Sequence, residues 1–296
     1  MGLFDGLAGL FSGGSKGKTV DIEKRFRLSG KTGQGSMSKV FKAYDSDLGR
    51  EVCLKILDKD KTKKFEERFK IQGLKKPSEG EISLSLKHPN CLTTYEYGKT
   101  TKGEPYLVME WIEGFGLNYL IETKSSQLNG NRVYYLTQLC DALAYLHDKG
   151  YLHRDLCPRN IMVNLEGQVK LIDFGLTIPY TAEFCRPGNR TGTAEYLAPE
   201  IIKRQSTDHR VDLYALGITA FEILTGTQPW ERSVSSEDTM RKRLNSPPRE
   251  PKSLNPDLED DICRFLSKSI AKEPADRYRT AAAMKEVLES LGKSDY

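Results

Sequence analysis

The sequence predicts an α+β fold in two parts, a small β-rich N-terminal lobe followed by a larger, mainly helical C-terminal lobe. Two observations predict it. Up to about residue 112 the apolar residues come in short strand-like runs, Val40-Phe41-Lys42-Ala43, Glu51-Val52-Cys53-Leu54-Lys55-Ile56-Leu57 and Tyr106-Leu107-Val108-Met109. From 113 onward they recur at three- and four-residue steps, as in Val133, Leu136, Cys140, Leu143 and Leu146. The change of period places a cleft near residues 110–114, and 296 residues suffice for two lobes with a full core.

Composition narrows the class. Hydrophobic content of 38% with 29% charged residues reads as soluble and globular, and a net charge of +4 is too small for general attraction to nucleic acid. The six cysteines (53, 91, 140, 157, 185 and 263) form no Cys-x-x-Cys pair, so reduced thiols are expected rather than disulfides or zinc. No apolar run reaches the roughly 18 residues of a membrane helix, and no secretory signal precedes the first lobe. A cytoplasmic protein is expected.

Residues 1–18 are read as a flexible leader with a short amphipathic segment. Leu3, Phe4, Leu7, Leu10 and Phe11 share a helical face, which offers weak contact with a partner or membrane surface through residues 1–11. Glycines at 2, 6 and 9 oppose a helix by about 1 kcal/mol each. Myristoylation of Gly2 is disfavoured, because Gly6 stands where Ser or Thr is wanted. The first lobe with its hinge is assigned to 19–112 and the second to 113–296.

Within the first lobe, Gly33-Gln34-Gly35-Ser36-Met37-Ser38-Lys39-Val40 reads as a glycine-rich turn between strands, where backbone can approach phosphates. Lys55 sits on an apolar strand and needs an anionic partner, either a structural carboxylate or a bound phosphate. The lysine-rich stretch 59–76 mixes both signs and reads as a solvated helix. Glu79 and Glu81 precede His88-Pro89-Asn90 on a further helix. Near the end, Asn255-Pro256 has the form of a helix N-cap with proline at the first position, and Thr280 begins a last helix carrying Met284, Val287, Leu288 and Leu291.

The chemistry is concentrated in His153-Arg154-Asp155-Leu156-Cys157-Pro158-Arg159-Asn160 and Asp173-Phe174-Gly175. Asp155 is placed to accept or orient the proton of an attacking hydroxyl. Asn160 and Asp173 offer oxygen donors suited to a hard cation such as Mg2+.

These motifs, with Gly192-Thr193-Ala194-Glu195-Tyr196-Leu197-Ala198-Pro199-Glu200, Asp212-Leu213-Tyr214-Ala215-Leu216-Gly217 and Asp276-Arg277, resemble the eukaryotic-like protein kinase family over about residues 25–290. The resemblance implies a bilobal kinase fold, with ATP and Mg2+ as cofactors and protein Ser/Thr hydroxyls as acceptors. It implies that Gly33, Gly35 and Ser38 cover the phosphates and that Lys55 pairs with Glu79, nine residues before His88, with Glu81 in reserve. Val40 and Cys53 would lie above the adenine and Met162 beneath it. Backbone at Glu110 and Ile112 would bond its edge, and Met109 would guard the back. Glu200 would pair with Arg277.

The sequence departs from the family pattern at Cys157, where most Ser/Thr kinases carry a lysine. Arg159 resembles the arginine of receptor-type tyrosine kinases and is assigned to replace that cation. Pro158 and Gly192-Thr193 resemble Ser/Thr kinases, with Thr193 expected to bond Asp155. Asn189 occupies the usual activation-loop acceptor position, leaving Thr181 and Thr191 as nearby acceptors. An active Ser/Thr kinase is the leading reading; a pseudokinase scaffold and a tyrosine or dual-specificity kinase are the alternatives.

Overall fold

The computed structural model describes residues 18–34, 38–188 and 190–291. The expectations for Gly35 in the glycine-rich turn, for Asn189 and for the leader 1–18 except Lys18 lie outside them. The chain divides into two compact units. The first comprises residues up to Gly73 with Ser83–Ser85 and Thr93–Trp111. The second comprises Leu74–Ile82, Leu86–Leu92 and Ile112 onward.

In chain order the first unit runs β1 (Lys18–Val20), α1 (Ile22–Arg25), β2 (Phe26–Gln34), β3 (Ser38–Asp45), β4 (Arg50–Leu57) and α2 (Lys59–Lys70). Helix α3 (Glu79–Ser85) is divided, with only Ser83–Ser85 in this unit, and β5 (Thr94–Thr100) and β6 (Pro105–Glu110) complete the unit. The strands form one sheet in the order β1-β5-β6-β4-β3-β2. All neighbours are antiparallel except β1, which joins β5 in parallel through Lys18↔Gly98 and Val20↔Thr100. Apolar residues at alternate positions of β3, β4 and β6 build a core with Phe26, Ala43, Val52, Leu54, Tyr106 and Val108, and on β6 the intervening Leu107 and Met109 are buried as well. The lysine-rich stretch is helical as α2, capped by the Asp58 side chain, and buries only Phe65 and Phe69 one turn apart.

The second unit is mainly helical. It begins with β7 (Gly114–Gly116), α4 (Leu117–Glu122), α5 (Arg132–Asp148), β8 (Tyr151–Leu152), β9 (Ile161–Asn164), β10 (Val169–Leu171) and β11 (Ile178–Pro179). There follow α6 (Pro199–Ile202), α7 (Arg210–Thr225), α8 (Ser236–Asn245), α9 (Pro251–Leu254), α10 (Asp260–Ser269) and α11 (Ala281–Ser290). Helix α7 is buried from Val211 through Leu224, mostly apolar but with Asp212, Thr219 and Glu222 inside it, and ends on Gly226 in the left-handed region. Thr280 caps α11 through the Ala283 N–H, and α11 packs on α5.

One sequence expectation is corrected. Asn255-Pro256 does not start a helix: Asn255 closes α9, its Nδ2 donates to Leu224 O, and its Oδ1 accepts the Asp257 N–H in a turn. Those bonds commit the cap-like side chain elsewhere, and the next helix starts at Asp260.

Candidate active site

The loop after β8 is built around Asp212, at the start of α7. Its carboxylate accepts the N–H groups of His153 at 2.8 Å and Arg154 at 2.9 Å and meets His147 Nε2 at 3.0 Å. These bonds hold Arg154 at φ 70°, a left-handed conformation costly for a residue with a side chain. Burial alone would push the Asp212 carboxyl up, but the His147 bond and charge, His153 and the Arg154 N–H hold it below the usual carboxylate range. Burial in turn pushes His153 down, so a neutral ring underlies the loop.

The turn delivers Asp155 between two partners. Thr193 donates both its N–H and its hydroxyl to Asp155 Oδ1, each at 2.8 Å. Asn160 Nδ2 donates to Asp155 Oδ2 at 3.0 Å and to its carbonyl at 2.8 Å. With its amide nitrogen committed to Asp155, Asn160 has its oxygen left for a cation. Gly192 makes the approach feasible: at φ 125° a Cβ there would lie 2.7 Å from Arg154 O and 2.9 Å from Leu197 Cδ2.

Asp173 reaches the same region through the backbone. The Ile172 N–H donates to Asn160 O at 3.0 Å, and Asp173 Oδ1 accepts the Gly175 N–H at 2.9 Å. A Cβ on Gly175 would stand 3.1 Å from Asp173 Oδ1 and 3.2 Å from Glu79 Oε2, so the Glu79 carboxylate lies against this turn. Glu81 is engaged differently. Its Oε2 accepts the Ser78 N–H and hydroxyl, each at 2.7 Å, while Ser78 Oγ accepts the Glu81 N–H, a capping box at the start of α3.

In the first unit Lys55 is 5% exposed on β4, opposite Val40 on β3 and Leu107 on β6. Gly33 pairs with Val40, and Cys53 faces Lys42 and Met109. Ser38 opens β3. Burial pushes the Cys53 thiol up to about 11 despite Lys55.

Residues 26–289 match the protein kinase domain family. The chain belongs to the protein kinase family. It is 33% identical over 288 residues to a probable serine/threonine-protein kinase of Corynebacterium efficiens, covering 93% of this chain and 42% of that protein. It is 32% identical over 279 residues to the serine/threonine-protein kinase PknB of Mycobacterium tuberculosis, covering 90% and 43%. It is 32% identical over 288 residues to the serine/threonine-protein kinase pkn3 of Myxococcus xanthus, covering 94% and 51%. The chain thus spans about half the length or less of these relatives.

The other kinase-site residues fall as follows. Glu110 gives its N–H to Thr93 O, and its Oε1 accepts the Thr93 N–H at 2.7 Å. Met109 and Ile112 are buried. Met162, on β9, faces Gly116 and Lys170. Cys157 is only 1% exposed, within the apolar core of the second unit, and burial pushes its thiol up to about 11. It is a neutral packing residue. Arg159 is exposed and lines a cavity of about 550 Å3 with Glu195, Tyr196 and Glu222. Glu200 and Arg277 form the expected buried bidentate pair, both bonds 2.8 Å. No helix among the described residues is long and apolar enough to cross a membrane.

Reading the sequence missed the role of Asp212. Its signal was a carboxylate at the start of a mostly apolar helix, which must be satisfied by something buried.

Proposed function

We propose that this chain is an active kinase that moves the γ-phosphoryl group of ATP to Ser or Thr hydroxyls of proteins, itself included. The observation that carries the reading is the Asp155 carboxylate, fixed on one oxygen by Thr193 and on the other by Asn160. A carboxylate so fixed can orient a hydroxyl and take up its proton as the oxygen attacks phosphorus, with little reorganisation left to do. Lys55 serves the nucleotide phosphates and Glu79 is its carboxylate partner. Gly33, Gly35 and Ser38 cover the phosphates; Val40, Cys53, Met109, Glu110, Ile112 and Met162 serve the base.

The donor set fits Mg2+. The Asn160 side-chain oxygen and the Asp173 carboxylate are hard ligands, and this ion takes one or two such groups together with phosphates and water. When bound, it neutralises charge on the phosphates during transfer.

Thr193 occupies one oxygen of the acceptor carboxylate with two hydrogen bonds, which favours a short Ser/Thr side chain over tyrosine. The relatives' printed names support the same class. Six free thiols support a reducing, cytoplasmic setting. A nucleotide-binding scaffold is favoured by one observation, the buried neutral Cys157 in place of a cation.

The test is transfer from radiolabelled ATP to the chain and to a generic protein substrate, with and without Mg2+. Phosphoserine or phosphothreonine is expected, lost in Asp155→Asn and Asp173→Asn while circular dichroism is unchanged. No transfer would leave the scaffold reading; phosphotyrosine alone would overturn the Ser/Thr assignment.

A further inference from the structure

The segment Thr193–Leu197 has two duties. Its first residue fixes Asp155, and Glu195 and Tyr196 wall the cavity that also meets Pro158 and Arg159 beside the catalytic loop. Its own internal bonding is slight: Ala194–Tyr196 is a single 3-10 turn without a side-chain cap. The outward carbonyls of such a turn need donors.

One side chain supplies them. Arg243, near the end of α8, donates to Leu197 O at 2.9 Å, to Ala194 O at 3.5 Å and to Glu195 O. Its guanidinium lies 5.0 Å from the Trp230 ring centre and 5.8 Å from that of Tyr214. Arg243 is 4% exposed, and its hydrogen bonds go to carbonyls rather than to a carboxylate; Nε has no partner among the described residues. A buried cation held by carbonyl dipoles and ring faces is costly unless its geometry is needed. Only a planar, multi-donor group reaches three carbonyls of one turn; a lysine ammonium is a compact point charge.

We propose that Arg243 is a positioning residue for phosphoryl acceptor, clasping the Thr193–Leu197 turn so that Asp155 and the wall of the adjoining cavity are set together. This rests on the kinase reading above. It places the recognition of the protein substrate partly on α8, 50 positions beyond Thr193 in the chain, with Arg243 and Trp230 forming the partition between that cavity and a second one of about 410 Å3 behind it.

The experiment compares Arg243→Lys and Arg243→Ala in the full chain. Four quantities are measured: kcat and KM for a peptide acceptor, KM for ATP, melting temperature, and amide exchange across 190–200. Either variant should lose about 10–100-fold in kcat/KM for the acceptor, with KM for ATP within about twofold. Exchange should accelerate within 193–198 only, and added ethylguanidinium should restore part of the rate of Arg243→Ala. Unchanged acceptor kinetics in either variant would overturn the proposal. So would a parallel fall of ATP affinity, stability and rate without rescue, or failure of both variants to fold, since each marks a merely structural arginine. If the unaltered chain transfers no phosphate, the kinase reading fails, and unchanged exchange at 193–198 would separately refute the clasp.

Discussion

Thr193 gives Asp155 Oδ1 two hydrogen bonds from one residue, N–H and hydroxyl, across 38 positions of chain. The Asp155 carboxylate, the proposed proton acceptor, is therefore set by the segment around Thr193, and on that proposal order in the segment is order in the acceptor site. Thr193→Val keeps the N–H bond and the residue's shape while deleting the hydroxyl. One hydrogen bond to a charged group is worth about 1.5–3 kcal/mol, so kcat should drop about ten- to a hundredfold. Steady-state kinetics with saturating ATP would measure this; an unaltered kcat would show that the N–H alone suffices.

On the proposed reading, Arg159 takes the role of the cation that the kinase pattern has at position 157, and Cys157 serves packing alone. Because the Cys157 thiol is buried and neutral, Cys157→Ala should leave kcat unchanged and cost about 1 kcal/mol of stability. Arg159→Ala should lower kcat by about 10²–10³ if its guanidinium serves the transferring phosphoryl group. Cys157→Lys added to that variant should recover much of the rate. A fully active Arg159→Ala enzyme would remove arginine from the catalytic set.

The Glu200–Arg277 pair is buried on both sides, its side chains 5% and 0% exposed. Glu200→Gln leaves a desolvated guanidinium short of its counter-charge and should cost about 3–5 kcal/mol. Urea denaturation would read the loss. The double change Glu200→Gln with Arg277→Met should cost less than the sum of the two single changes, and additivity would mean that the pair contributes no coupling.

Stability should fall as pH drops below about 6.5. Burial pushes both His153 and His88 down, so each stays neutral in the folded chain while the unfolded chain takes up a proton below the ordinary histidine value. His153 removes at most about 1.4 kcal/mol per pH unit, from about 6.5 down to its folded pKa, and the half-exposed His88 adds much less because water screens it. The depressed Asp212 carboxyl works in a lower window: its contribution is complete above about pH 4 and is lost only as pH falls through its folded value. Melting curves from pH 8 to 5 should therefore slope downward below 6.5, and His153→Phe should flatten the slope. A flat profile in the unaltered protein would contradict a buried neutral His153.

The two-part α+β architecture and the catalytic loop were legible because motif order and apolar period are local properties of the chain. The capping box Ser78-x-x-Glu81 was not read from the sequence, where Glu81 stands only as a reserve partner for Lys55, and it explains why Glu81 is committed at the helix start. Three further features were not legible. Asn255-Pro256 carries a cap signal that a distant carbonyl, Leu224 O, overrides. Arg243 lies among exposed charges of α8, and only the fold turns it inward. The burial of Cys157 could not be told from the loop sequence, since the same loop holds the exposed Arg159.

The packing of α11 on α5 sets a timetable for synthesis. Lys285 pairs with Asp141, 144 positions earlier, and Met284 and Leu288 belong to the core that includes Leu136, Leu139 and Leu143. At ribosomal speeds of about 5–20 residues per second, about 7–30 s separate these partners. For that interval one apolar flank of α5 is uncovered on the nascent chain, open to chaperones or to a neighbouring chain. Helix α11 is the piece that ends this exposure.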